Sequence, residues 1–149
     1  MTHKVFAGVA ALGAALLVAA EFSPVYEVVV GSLAIPRREV DGADNHSYAL
    51  LIVAVLALPM ALGALRGARP AALALVALGG TALFVALALD LPDARATGRL
   101  PESVAYEDAR ARASTGLYVE LAGGGLLIIA GAGLLARPSS TRANPQRTP

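Results

Sequence analysis

Residues 115–136 read TGLYVELAGGGLLIIAGAGLLA, an apolar run in which Glu120 is the only carboxylate and no cation occurs. At 1.5 Å of rise per residue such a run covers roughly 33 Å as a helix, enough to cross a hydrocarbon core of about 30 Å. Three further runs are comparable. The first covers 5–20 and continues past Glu21 through Phe22, Pro24 and Val25; the second covers 48–65 with Pro59 inside it, where a kink is expected; the third covers 71–89, between Pro70 and Asp90. The expected spans are therefore about 5–24, 48–65, 71–89 and 115–136. They predict an all-α membrane protein, a four-helix transmembrane bundle occupying 1–137, with a small extracytoplasmic cap from segments 25–47 and 90–114 and a disordered cytoplasmic tail over 138–149.

Composition agrees with this and narrows the chemistry. The 149 residues are 56 % hydrophobic and 15 % charged, with a mean hydropathy of +0.64, which leaves no length for a soluble catalytic domain. There is no cysteine, so disulfides, thiolate metal centres and thiol nucleophiles are excluded. Paired histidines for haem, a phosphate-cradling loop between a strand and a helix, and a credible Ser/His/Asp set are all missing, so neither an enzyme nor a cofactor is expected. A net charge of +1 with scattered cations argues against nucleic acid. Eleven of the twelve cations are Arg, which with the abundance of Ala, Gly, Val and Leu suggests a GC-rich bacterial genome.

The cations near the span ends set the expected orientation. Segments 1–4, 66–70 and 137–149 hold six Lys/Arg in 22 residues and no acid, whereas 31–46 and 90–114 hold six Arg and eight acids in 41 residues. The denser basic side predicts both termini in the cytoplasm of a bacterium, with the bilayer being the plasma membrane. A second reading stays open: Thr2-His3-Lys4, an apolar stretch and Val18-Ala19-Ala20 before Glu21 also fit a cleaved signal peptide, which would leave three spans.

The two cap segments differ in character. Residues 26–35 are rich in β-branched side chains and broken by Gly31, and Pro36, Asp41-Gly42 and Asp44-Asn45 carry turn chemistry, which predicts a short β-hairpin or else a tilted continuation of the first helix. Residues 101–114 start with Pro101 and Glu102 and place Asp108 and Arg112 at i,i+4, which predicts an amphipathic helix running into the fourth span. Asn45-His46-Ser47 also matches a glycosylation sequon.

Ionisable side chains inside a membrane are costly, at about 2.5–3.5 kcal/mol each even on the mild insertion scale, and so mark function by default. Counting along the helices places Glu21 about 6 Å and Glu120 about 8 Å below the outer boundary. Asp90, His46 and Tyr48 stand at span ends of the same level. Glu21 shares a helix face with Leu17, Ala14, Gly13 and Ala10, and Glu120 shares one with Gly116, Gly123, Gly124, Leu127 and Gly131. Faces of small residues are where membrane helices approach closely, so both acids are expected to point inward. Two readings follow. In one, Glu21 and Glu120 are oxygen ligands or proton acceptors of a shallow outward site, with Asp90, His46 and Tyr48 in support. In the other they are interfacial groups capped by Tyr48, Tyr118, loop backbone or arginines.

The layout supplies a resemblance. A short basic N-terminus, a first span, Val28-Val29-Val30-Gly31-Ser32 ahead of Pro36, an Ala/Leu span and Arg66-Gly67-Ala68-Arg69 opening the third together resemble the small four-span actinobacterial membrane proteins found beside tryptophan-biosynthesis operons. The resemblance covers roughly residues 1–90 and implies the four-span fold; it carries over no catalytic residue. The expected role is an accessory or scaffold subunit packing its glycine faces against itself or another membrane protein in the bilayer. The alternative is a small transporter or ion- or proton-conducting unit using the intramembrane carboxylates.

Overall fold

The computed structural model describes residues 2–30, 35–97 and 109–136. The expectations for residues 101–108 and for the tail 138–149 lie outside them. The chain runs α1 (Thr2–Glu21), β1 (Pro24–Val30), β2 (Ile35–Asp41), α2 (Gly42–His46), α3 (Ala49–Leu65), α4 (Arg69–Phe84), a π-helical segment (Val85–Asp90), α5 (Leu91–Asp93), β3 (Ala109–Ala113) and α6 (Thr115–Leu135). Among the described residues three stretches are long and apolar enough to cross a membrane: His3–Glu21, Arg69–Asp93 and Thr115–Leu135. The fourth long helix, α3, is a shorter apolar helix of 17 residues that continues through Pro59.

Helix ends follow local chemistry. Helix α1 stops at Glu21 rather than reaching residue 24, because Pro24 has no N–H to give and disfavours helical backbone at Ser23. The turn is closed by Ser23 N–H donating to Ala20 O, and Pro24 opens β1. Between α3 and α4, Gly67 adopts φ +87°; its N–H reaches Ala64 O and that of Ala68 reaches Gly63 O, the double bond of a Schellman cap that an L side chain would strain. Pro70 then sits in the first turn of α4, where its missing donor costs nothing. This connection makes α3 and α4 antiparallel neighbours.

Helix α6 packs along both α1 and α4, and α3 packs along the same two helices from the other side. Contact between them is close because glycines stand at the crossings. A Cβ on Gly123 would come within 3.0 Å of the Gly13 backbone oxygen, and one on Gly79 within 2.6 Å of the Gly124 oxygen. Gly131 lies as tightly on the Ala72 oxygen, and Gly116 on the Pro24 oxygen. The core between the helices is mostly alanine, with Leu17, Leu50, Leu75 and Leu127 as its largest fully buried members. Many large apolar side chains face outward, among them Leu62, Leu73, Phe84 and Ile129.

One end of the helices is covered by a three-stranded antiparallel sheet of order β2-β1-β3. The hairpin half of this sheet follows from the β-branched run. Strand β3 does not: residues 109–113, expected to be helical, are extended and pair with β1 in the register Tyr26↔Ala113 to Val30↔Ala109. The reason lies in their alternation. Ala-Arg-Ala-Arg-Ala places Arg110 and Arg112 on the exposed face, with Ala109 buried and Ala111 and Ala113 partly buried, a period of two that suits a half-buried strand. A second cluster, with Val25, Val28, Val40, Ala86 and Leu117, fills the space under the sheet.

Candidate functional site: a buried carboxylate cluster

Under the sheet, at the end where α1, the π-helical segment and the start of α3 and α6 meet, Glu21, Asp90 and Glu120 are each fully buried. Glu21 is the last residue of α1, Asp90 closes the π-helical segment, and Glu120 stands in the second turn of α6. The carboxyl of Glu120 lies beside that of Asp90 and within electrostatic reach of Glu21. The widened turn of the π segment, unusual in itself and recurrent at functional positions, ends with Asp90 inside while Leu87 and Leu89 are about half exposed.

Hydrogen bonds serve part of the cluster. Leu50 N–H, in the first turn of α3, donates to Glu21 Oε2 at 3.0 Å, satisfying one of that helix's free donors. Asn45 Nδ2 donates to Asp90 Oδ1 at 2.8 Å, and His46 Nε2 meets the same oxygen. The His46 side chain is 96 % removed from solvent, being 4 % exposed. No hydrogen-bond donor reaches Glu21 Oε1, Asp90 Oδ2 or either oxygen of Glu120, and His46 Nδ1 makes no hydrogen bond, among the described residues. As ionised groups, the facing Asp90 and Glu120 carboxylates bring only acceptors to each other.

Of the five residues singled out by sequence, the structure draws Glu21, Asp90, Glu120 and His46 to one place. Tyr48 is a correction. Its backbone is left-handed at φ +68°, immediately before α3, and its side chain is half exposed and outside the cluster. Tyr118 also faces outward, so neither tyrosine caps an acid; among the described residues a backbone group does so, the Leu50 N–H in the first turn of α3. Asn45, passed over as part of a sequon, is a partner of Asp90, and its position next to His46 was the signal for it. The glycines singled out for packing, Gly13, Gly116, Gly123, Gly124 and Gly131, are all engaged inside this chain.

Among the described residues no group of three His, Asp or Glu side chains has the geometry to hold a metal ion. Asn45 and His46 meet only Asp90 Oδ1 and the Leu50 N–H only Glu21 Oε2, which leaves Glu21 Oε1, Asp90 Oδ2 and both Glu120 oxygens without a donor among the described residues. What the cluster lacks is hydrogen between carboxyl groups, which a proton supplies.

Length and apolar composition of the helices point to a helical membrane protein. No family model, curated protein or solved structure matches the chain.

Proposed function

We propose that this chain is a small four-span protein of a bacterial plasma membrane whose buried carboxylate cluster takes up and releases a proton, serving as a proton-conducting or proton-coupled transport unit. The observation that carries this reading is Glu120: fully buried, both oxygens without a hydrogen-bond donor among the described residues, and set beside a second buried acid. Leaving a buried polar group unpaired costs about 1–3 kcal/mol, and more for a charge. Packing alone gives no reason to keep such a group, since an apolar residue of similar volume would remove the cost. A proton shared by Glu120 and Asp90 turns a repulsive contact into a hydrogen bond, so the cluster has two states separated by one proton.

The arrangement of the spans supports the same reading. Helix α3, at 17 residues, lies at the lower end of spanning lengths and serves as the fourth crossing. Lys4, Arg66 and Arg69 stand at the helix ends opposite the sheet, which by the retention of cations favours an orientation with the cluster and its cap outside and both termini in the cytoplasm. An accessory subunit would need a packing face for another chain, but the glycines expected to form it, Gly13, Gly116, Gly123, Gly124 and Gly131, are engaged within this one, which favours the proton reading.

The test is proton flux into vesicles containing the purified protein and a trapped pH-sensitive dye, driven by a potassium diffusion potential. The unaltered protein should carry flux, and Glu120→Gln should lower it at least tenfold without lowering thermal stability, because Gln keeps the volume and adds donors facing Asp90. Absence of flux from the unaltered protein, or full flux in Glu120→Gln, defeats the proposal.

A further inference from the structure

The cluster is sealed on the sheet side by a short piece of chain with unusual features. Helix α2 has five residues and leads to Ser47 and Tyr48, two consecutive non-glycine residues in the left-handed region at φ +53° and +68°. Such backbone is unfavourable for L side chains and persists only where its surroundings hold it. Two adjacent residues of α2, Asn45 and His46, hold Asp90, and both bind the same oxygen. At its other end α2 begins with Gly42, seated so closely on the end of α1 that a Cβ there would meet Glu21 Cα and O at 3.1 Å. The segment is therefore held at both ends against residues of the cluster itself, with strained backbone just beyond it.

We infer that α2 is a lid over the carboxylate cluster, hinged at Ser47–Tyr48 and latched by Asn45 and His46 on Asp90, and that its lifting is what admits protons from the capped side. The lid rests on the proton-site reading for its purpose, but its motion is measured separately. Lifting releases Asp90 Oδ1 from both donors and frees the strained turn, so opening a path and changing the bonding of the acid beside Glu120 are one event. Closure restores the contacts of Gly42 with α1 and shields Glu120 again.

The lid is tested with a water-soluble carbodiimide and an amine nucleophile on the full chain in detergent, reading modification of Glu120 by peptide mass against exposed Glu39 as internal standard. In the unaltered protein Glu120 should react far more slowly than Glu39. In Asn45→Ala/His46→Ala the Glu120 rate should rise more than tenfold while amide protection across 123–131 of α6 is retained. Gly42→Ala, whose Cβ would crowd the end of α1 at 3.1 Å while leaving both latch residues in place, should raise it in the same direction. An unchanged Glu120 rate in both variants overturns the lid, as does equal reactivity of Glu120 and Glu39 in the unaltered protein. A rise accompanied by lost protection in α6 overturns it too, since the helices and not α2 would then be opening. A faster Glu120 rate without proton flux in vesicles leaves the lid standing and removes the transport reading.

Discussion

The crossing of α4 and α6 permits a paired experiment in which two neighbouring glycines should behave oppositely. Replacing Gly79 by alanine puts a Cβ 2.6 Å from the Gly124 oxygen, 2.8 Å from Ile128 Cγ1 and 3.0 Å from the Ile128 backbone nitrogen. The first of these is about 0.8 Å inside the 3.4 Å at which ordinary contact begins, and two of the three obstacles are backbone atoms that cannot rotate away. The helices must separate, loosening the contacts of Leu75 and Ala82 on the same face. Overpacking of this kind costs about 1–3 kcal/mol. At Gly80, one residue on, a Cβ meets nothing within 4 Å. Both substitutions carry the same gain from helix propensity, about 1 kcal/mol in water, so the difference between the two variants isolates the steric effect. That difference corresponds to roughly a 5-fold to over 100-fold change in the unfolding equilibrium. Helicity followed by circular dichroism during titration of a mild-detergent micelle with a denaturing detergent measures it. Gly79→Ala should be the less stable variant by at least about 1 kcal/mol. Equal midpoints for the two, or a more stable Gly79→Ala, would refute the close backbone approach and with it the placement of α6 against α4.

Two other outcomes are expected. Ser47→Gly should stabilise the protein by roughly 1 kcal/mol, since glycine accepts the left-handed conformation that serine holds at a cost; an unchanged or lower unfolding midpoint would remove the strain assigned to the hinge. A reporter enzyme fused after Pro149 should be active only when it is of the type that works in the cytoplasm, and activity of a periplasm-dependent reporter would reverse the proposed orientation.

Much of the helical layout was visible in the sequence because an apolar run is a local property. Runs of Ala, Leu, Val and Gly bounded by Pro or charge place α1, α3, α4 and α6 to within a few residues, and the ends that differ do so for reasons of one or two side chains, as at Pro24. The sheet was half visible. In β1 the β-branched residues carry a strand preference of their own, whereas β3 is alanine and arginine, and its alanines have good intrinsic helix propensity. Only pairing with β1 and the space beneath it make the extended form the better one. The π-helical turn before Asp90 has no signature in a string of Val, Ala and Leu.

For the carboxylates the division falls elsewhere. Counting residues at a fixed rise puts Glu21 and Glu120 at one depth, because helix geometry turns position in the chain directly into height, and small neighbours on their faces say that they point inward. Which groups meet them at that level is not a local matter. Asn45 and His46 reach Asp90 across some 45 positions of chain only because β2 delivers α2 to the end of α1, and Tyr48, two residues further on, is turned away by a left-handed backbone that no residue preference foretells. Height was thus written in the spacing of the acids, while the company each acid keeps, and the orphaned oxygens that suggest a proton, arose when helices from four parts of the chain closed on one another.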